Sequence, residues 1–253
     1  MCPVGLYDEV TLRPTENGIT LTSDTTEVPS GNENLVYKAA SLLMEKSPIG
    51  GGVCIHLLKR IPIAAGLGGG SSDAAAVMRG MNDLYGLNYT PRQLMELGSS
   101  IGSDVPFFFM AGPALATGRG EILSSLGLSP PLWLLLVTPS LPVSTAWAYS
   151  QFSPKSGEEF PYYNITQAID LRATGKSILR NDLEEIVTSR YPEIIEVKDQ
   201  LGKLNAWGSM MSGSGPTVFG IFFEEEGARK AERELIEGYS DRSWRISVAK
   251  ALT

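Results

Sequence analysis

The sequence predicts an α+β protein of two domains. It has 253 residues, of which 43% are hydrophobic and 19% charged, so it can bury one large core or two modest ones. Segments with apolar residues every three or four positions, typical of helices, alternate with short apolar segments typical of strands. A stretch rich in Ser, Gly and Pro at 124–131 separates two such sets. We therefore expect a first domain over 1–123 and a second over 124–253.

The charge and cysteine content exclude several classes of function. The 28 acidic residues outnumber the 21 basic ones, which argues against nucleic acid as a partner. The two cysteines, Cys2 and Cys54, form no CxxC pair, so we expect no thiolate zinc site and a reducing cytoplasm. The longest apolar run, Leu132 to Val137, is far shorter than the roughly 20 residues that span a bilayer, and the first ten residues lack a basic signal-peptide region. We expect neither export nor a membrane anchor.

The first elements of the chain are two strands, a helix and a third strand. Weak alternation from Tyr7 to Thr22 around Asn17-Gly18 predicts a β-hairpin at a sheet edge. Asn32 or Asn34 then caps a helix that ends before Ser47-Pro48. Alternation from Val53 to Leu58 predicts a strand, in which His56, the only histidine, is a sheet residue and not a catalytic or metal-binding one.

A glycine-rich segment follows this strand. Its glycines allow main-chain amides to turn inward, and apolar spacing predicts a helix from Ser71 or Ser72 to Gly86, whose free amides suit a phosphate. A Walker A lysine and the third glycine of a dinucleotide fingerprint are both missing, and a flexible loop or packing turn is the alternative. The candidate anion-binding residues are Pro62, Ile63, Ala64, Ala65, Gly66, Leu67, Gly68, Gly69, Gly70, Ser71 and Ser72.

Asp104 is a candidate catalytic carboxylate. It follows a helix predicted from a Thr90 capping box, and Pro106 is expected to hold Val105 extended, which would fix Asp104 on a stiff bend. Such a carboxylate can accept a proton from an attacking hydroxyl, although it can equally end a helix. The hydroxyls of Ser71 and Ser72 are candidates to hold phosphate oxygens or a Mg²⁺ ion, with Ser72 as the candidate metal ligand, and helix capping by a serine is a compatible alternative.

The second half predicts a ferredoxin-like arrangement. A buried strand over Leu132 to Thr138 precedes a polar insert, Pro154 to Pro161, and helices beginning near Asn181 and Pro192. Further strands, a helix and a last strand are expected at Ala206 to Met211, Thr217 to Phe223, Gly227 to Glu237 and Trp244 to Ala249. The order β-α-α-β-β-α-β is the split ferredoxin-like pattern with one added helix.

Three motifs resemble those of the GHMP kinases of small molecules. Pro62-x-x-x-Gly66-Leu67-Gly68-Gly69-Gly70-Ser71-Ser72 is similar to their ATP-binding signature, and 209–216 is similar to their third motif. With Gly102-Ser103-Asp104-Val105-Pro106-Phe107, the triple glycine resembles members that phosphorylate a cytidine-diphosphate polyol in the non-mevalonate route to isoprenoid precursors. The resemblance implies a ribosomal-protein-S5-like N-terminal domain, a ferredoxin-like C-terminal domain, ATP with Mg²⁺, and a small-molecule substrate.

The resemblance also implies roles for individual residues. Asp104 becomes the catalytic aspartate, and Asn34 and Leu35 lie near the adenine, with helix capping as the alternative for Asn34. Thr145 and Tyr149 match a region of the cytidine pocket, with packing of an exposed helix edge as the alternative. Gly213 and Ser214 of the third motif are expected to bind substrate. Asn181-Asp182-Leu183-Glu184 also matches a family pattern, which capping by Asn181 explains equally well.

The sequence departs from the family at its start. Family members begin with a strand carrying Ala-Lys-Ile-Asn-Leu and then an Asp-Gly-Tyr-His segment, which have no counterpart here. Their Lys partners the catalytic aspartate, and Lys38, Lys46 and Lys59 match no part of that motif. The sequence thus leaves two alternatives to the polyol kinase: a nucleotide-binding protein with little or no turnover, or a kinase of another small alcohol.

Overall fold

A computed structural model describes residues 1–118, 120–153 and 168–253, which form two compact units. The first unit comprises Met1, Leu6–Ile63 and Gly68–Ser125, and the second comprises Cys2–Gly5, Ala64–Leu67 and Leu126–Thr253. The predicted polar insert at 154–161 lies outside the described residues. Among the residues described, no helix combines the length and the apolar character that crossing a membrane requires.

The sheet of the first unit corrects the predicted hairpin. The strands β1 (Glu9–Thr15) and β2 (Ile19–Ser23) are both edge strands, and β3 (Gly52–Leu58) lies between them, antiparallel to β1 and parallel to β2. The chain does turn at Gly18, where φ is 71°, but the apolar β3 takes the central position. Val53 and Ile55 of β3 are fully buried there. The two weakly alternating strands are left at the edges.

Three helices complete the core of the first unit. They are α1 (Leu35–Lys46), α2 (Gly69–Leu84) and α3 (Pro91–Ser99), followed by a 3-10 helix (Pro106–Phe109) and the hairpin β4 (Ala114–Thr117) and β5 (Ile122–Ser125). Asn34 caps α1, as predicted, by accepting the Val36 N–H at 2.8 Å. The Thr90 capping box of α3 is confirmed as well. His56 is an exposed sheet residue whose Nδ1 lies 2.9 Å from Thr22 Oγ1.

The second unit contains the predicted ferredoxin-like sheet. Its four strands, β7 (Trp133–Thr138), β9 (Gly208–Met211), β10 (Val218–Phe222) and β11 (Arg245–Lys250), are antiparallel in the order β11-β7-β10-β9. This is the split β-α-β arrangement, and β9 is an edge strand. The helices α6 (Asp182–Arg190), α7 (Glu193–Lys203) and α8 (Glu225–Gly238) bury apolar faces in its core.

Shorter elements of the second unit, apart from the helix edge expected at Thr145 to Tyr149, were not predicted as separate elements. The parallel pair β6 (Gly127–Ser129) and β8 (Ala168–Asp170), the short helices α4 (Thr145–Gln151) and α5 (Leu171–Thr174), and a 3-10 turn (Lys176–Ile178) accompany the main sheet. They have three to seven residues each, too short for apolar periodicity to identify.

Candidate active site

The glycine-rich segment ends in a helix that begins earlier than predicted. Gly68 is the N-cap residue of α2, and the first intrahelical bond runs from Ser72 N–H to Gly68 O at 2.9 Å. The interpretation of Ser72 as an N-cap is therefore wrong, and its hydroxyl donates to Gly69 O at 2.8 Å. Gly69, Gly70 and Ser71 form the first turn, whose amides precede the intrahelical bonding pattern and can bind an anion.

Two glycines of this turn are required by packing. Gly68 has a φ of 67°, and a side chain on it would lie 3.0 Å from Phe108 Cζ. A side chain on Gly69 would lie 2.9 Å from Ile61 Cγ2, closer than real contacts allow. Backbone conformation and packing within the protein therefore account for glycine at 68 and 69, without a ligand.

Gly70 has no such explanation. It is exposed, and a side chain there would meet only Leu35 Cδ1, at an ordinary 3.7 Å. The same Leu35 Cδ1 lies 3.9 Å from the corresponding position on Gly102, two residues before Asp104. The first unit thus brings three predicted features together around the half-buried Leu35: the first turn of α2, the start of α1 and the approach to Asp104.

Asp104 lies in a turn and not on the extended bend expected from the sequence. Val105 is helical, with φ −59° and ψ −43°, and precedes the 3-10 helix, because burying its side chain outweighs the preference that Pro106 imposes. The Asp104 carbonyl accepts the Phe107 N–H at 3.2 Å, which fixes the residue in this turn.

The Asp104 side chain has the properties of an available base. Partial removal from water raises the pKa of its carboxyl above the ordinary value. The residue itself remains exposed. Within the described part of the chain its carboxylate has no hydrogen-bond or ion-pair partner.

A buried group of three charges beside the first turn of α2 was missed by sequence reasoning. Lys59 Nζ lies 2.7 Å from Asp73 Oδ2 and also contacts Asp8 Oδ2, and the three side chains are 7%, 4% and 2% exposed. Asp8 Oδ1 accepts the Arg60 and Ile61 N–H groups at 2.6 and 2.8 Å. The available signal was Asp73 itself, an acidic residue on the apolar face of a helix.

The electrostatics of this group follow from burial and pairing. Burial, opposed by Lys59, raises the pKa of Asp73 to about 6. Burial lowers the pKa of Lys59, but its bonds to Asp73 and Asp8 outweigh this and leave it above the ordinary value. Lys59 Nζ is 3.6 Å from the side-chain position on Gly69, so the charged group supports the turn directly.

In the second unit, the third-motif loop binds the start of the glycine-rich segment. Ser212 Oγ donates to Gly66 O at 2.8 Å, and the Thr217 N–H donates to Ala65 O at 3.3 Å. A side chain on Gly66 would lie 2.1 Å from Ser212 O, which excludes any other residue at this position. The loop therefore fixes the backbone at residues 65 and 66.

The structure also joins predicted substrate-binding residues of the second unit. Thr145 Oγ1 and Ser214 Oγ are 2.7 Å apart, and Gly213 between the loop serines is exposed with a φ of 54°. Tyr149, one turn after Thr145 on α4, is 60% exposed. Its ring is thus available to a ligand.

Comparison with known proteins gives the family. A family model described as "GHMP kinases N terminal domain" matches residues 34–112, and one described as "GHMP kinases C terminal" matches 165–241. The chain belongs to the GHMP kinase family. Its two-domain fold with mixed helices and sheets is that of these kinases.

Individual GHMP kinases are similar over nearly the whole chain. The 4-diphosphocytidyl-2-C-methyl-D-erythritol kinase of Geobacter metallireducens is 42% identical, covering 98% of this chain and 87% of its own. The enzyme of the same name from Acetivibrio thermocellus is 41% identical, covering 100% and 89%. A crystal structure of 4-(cytidine 5'-diphospho)-2C-methyl-D-erythritol kinase superposes with a TM-score of 0.81 at 34% identity, covering 100% of this chain and 88% of that one.

Proposed function

We propose that this GHMP kinase transfers the γ-phosphoryl group of ATP to the 2-hydroxyl of 4-diphosphocytidyl-2-C-methyl-D-erythritol, in isoprenoid precursor biosynthesis. The observation that carries this proposal is the 41–42% identity over 98–100% of the chain with kinases named for that substrate. The GHMP kinases use ATP, and the site residues of this chain supply the remaining support.

The nucleotide is proposed to bind the segment from Pro62 to Ser72, with Asn34 and Leu35 beside the adenine. The amides of the first turn of α2 and the positive end of its dipole favour the phosphate groups. The exposed Gly70, for which packing gives no reason, leaves room for a phosphate to approach the backbone. The contact of Leu35 Cδ1 with this position supports an adenine-side role for Leu35.

Asp104 is proposed as the catalytic base. Its carboxylate accepts the proton of the substrate hydroxyl while that oxygen attacks the γ-phosphorus, and the bond from the γ-phosphorus to the β,γ-bridging oxygen breaks to release ADP. A raised pKa makes the Asp104 carboxylate a better proton acceptor than an ordinary aspartate.

Mg²⁺ is proposed to be held mainly by the nucleotide. The Ser72 hydroxyl donates to Gly69 O and keeps oxygen lone pairs for a cation, so it fits as a single protein ligand. Among the described residues there is no cluster of three or more His, Cys, Asp or Glu side chains suited to a metal. This fits an ion that takes its other ligands from phosphates and water. The ion would neutralise charge on the transferred group.

The substrate is proposed to contact Thr145, Tyr149, Gly213 and Ser214. The exposed Tyr149 ring offers a face on which a pyrimidine can stack. We propose the division of the chain at 123/124 into an ATP-binding domain and a substrate-side domain. We also propose a cytoplasmic location, which the two free cysteines support.

A phosphoryl-transfer assay tests the proposal. The purified protein is incubated with Mg²⁺, ATP labelled in the γ-phosphate, and the cytidine-diphosphate polyol, with homoserine and mevalonate as competing acceptors. We expect label only in the cytidine compound, and phosphorus NMR to place it on the 2-hydroxyl. Preferred labelling of another alcohol would overturn the substrate.

Calorimetry separates a kinase from a protein that only binds nucleotide. A non-hydrolysable ATP analogue is titrated into the same preparation used for the transfer assay. Heat of binding with product formation supports the kinase. Heat of binding without product would leave a nucleotide-binding protein as the function.

A further inference from the structure

The last residue of β9 is bound by two side chains from the start of α6. Because β9 is an edge strand, the groups of Met211 that do not pair with β10 need other partners. The Met211 N–H donates to Glu184 Oε2 at 2.7 Å, and Met211 O accepts from Asn181 Nδ2 at 2.8 Å. Both main-chain polar groups of Met211 are thus satisfied by α6.

Asn181 makes a second bond that reaches into the third-motif loop. Its Nδ2 also donates to Gly213 O at 2.8 Å, while its Oδ1 accepts the Leu183 N–H at 3.0 Å and caps α6. The side-chain amide of Asn181 therefore makes two kinds of contact. Its oxygen caps the helix, and its nitrogen donates to the loop.

Glu184 has been diverted from its expected local role. Asn-x-x-Glu at a helix start is the pattern of a capping box, in which the carboxylate bonds back to the N-cap amide. Here the carboxylate instead holds the Met211 N–H and an ion pair with Lys198. Asn181 and Glu184, whose spacing helix capping alone could explain, therefore also bind a loop that is distant in the sequence.

The loop held in this way fixes residues 65 and 66 of the glycine-rich segment. Ser212 N–H donates to Thr217 O at 2.8 Å, Gly215 N–H donates to Ser212 O at 2.9 Å, and Ser212 Oγ holds Gly66 O. Ser214 on the same loop contacts Thr145. A shift of residues 211–213 would therefore move Gly66 and the Ser214 hydroxyl together.

We propose that Asn181 and Glu184 are positioning residues, which hold loop 211–215 and, through it, residues 65 and 66 of the glycine-rich segment in the geometry that binds ATP. This inference rests on the proposed function. It extends that function to two residues whose bonds to the loop are to main-chain groups of Met211 and Gly213.

The first test separates capping from loop binding at Asn181. Serine is as good an N-cap as asparagine but lacks the amide nitrogen, so Asn181→Ser keeps the helix cap and loses both loop bonds. Because the cap is kept, we expect the melting temperature to fall only by the loss of the bonds to Met211 O and Gly213 O. The KM for ATP should rise about tenfold, equivalent to ~1.4 kcal/mol, with kcat changed less. Thr90→Ser, a change of N-cap in α3, is the matched control and should alter neither value.

The second test uses Glu184. Glu184→Ala removes the acceptor of the Met211 N–H and should raise the KM for ATP. Glu184→Gln keeps an oxygen acceptor, so its KM for ATP should stay close to that of the parent. A purely structural role for the ion pair with Lys198 predicts the same KM in both variants, because Gln and Ala both abolish that pair. Equal KM values in Gln and Ala would overturn the positioning role of Glu184.

Amide hydrogen exchange decides the matter even without turnover. In Asn181→Ser the Gly215 amide, which bonds within the loop, should exchange at least several-fold faster than in the parent. Absence of ATP binding and turnover in the parent would refute the proposed function but leave this result valid. Exchange of the Gly215 amide at the parental rate in Asn181→Ser would refute the positioning role. If the parent is active, a KM for ATP in Asn181→Ser equal to that of the parent would refute it as well.

Discussion

Replacing Gly70 with alanine should make the protein more stable and its ATP binding weaker. Gly70 is the second residue of α2, has an ordinary helical backbone and is exposed. Its added methyl group would meet only Leu35 Cδ1, at 3.7 Å. The protein therefore accommodates the change without strain, and any cost must come from a ligand.

The magnitudes follow from that geometry. Gly→Ala at a compatible position stabilises by roughly 0.4–1 kcal/mol because the unfolded chain loses conformational freedom. In a protein of this size that corresponds to a rise in melting temperature of roughly 1–4 °C. A methyl group where a phosphate approaches the Gly70 amide should raise the KM for ATP about tenfold or more, which is ~1.4 kcal/mol or more.

Thermal melting and steady-state kinetics on the same preparations measure both effects. Gly202→Ala is the matched control, since Gly202 also lies in a helix with open space around it, and it should raise stability alone. Gly69→Ala should lower stability, because its methyl group would collide with Ile61. An unchanged KM for Gly70→Ala would show that no ligand approaches this turn, and a lower melting temperature would refute the steric argument.

Three further variants test other parts of the site. Asp104→Asn should lower kcat by ~10² or more with a nearly unchanged KM for ATP, and parental turnover would remove the residue from the mechanism. A carboxyl pKa raised above its ordinary 3.8 gives stability that is lost as pH rises, so this variant should melt above the parent at pH 7 but not at a pH well below 3.8. Lys59→Met leaves two buried carboxylates without their cation and should cost ~3–5 kcal/mol of unfolding free energy, measured by denaturant titration. Adding Asp73→Asn should reduce this cost, and an unchanged unfolding midpoint in Lys59→Met would show that the charges are not buried together. Gly66→Ala should lower the melting temperature, because its methyl group would lie 2.1 Å from a carbonyl oxygen at a φ of 73°, and a stable variant would contradict that packing.

The features that the sequence predicts correctly are those determined by neighbours in the chain. The Thr90 capping box and the Asn34 cap need only the residues within one helical turn. The ferredoxin-like order follows from the succession of elements, with no knowledge of which residues touch. The prediction of an anion-binding segment from the glycine motif is local in the same way, since its chemistry is main-chain chemistry.

The errors come from competition with distant parts of the fold. The turn at Gly18 does form, but β3 separates the two strands it connects, because β3 buries Val53, Ile55 and Leu57 and gains most from the central position. Val105 adopts a helical backbone because its side chain is completely buried. In both cases local preference is worth less than burial of apolar surface.

The roles of Asp8 and Glu184, which sequence reasoning missed, have a common physical origin. Asp8 accepts the amides of Arg60 and Ile61 just after β3, and Glu184 accepts the amide of Met211 at the end of β9. Each binds main-chain donors that the neighbouring strand leaves unpaired, and such donors cannot remain unsatisfied when buried. Which amides are left unpaired depends on where strands end and which edges are covered, and no spacing in the sequence encodes this. An acidic residue that local capping seems to explain should therefore be tested against nearby strand ends before its role is assigned.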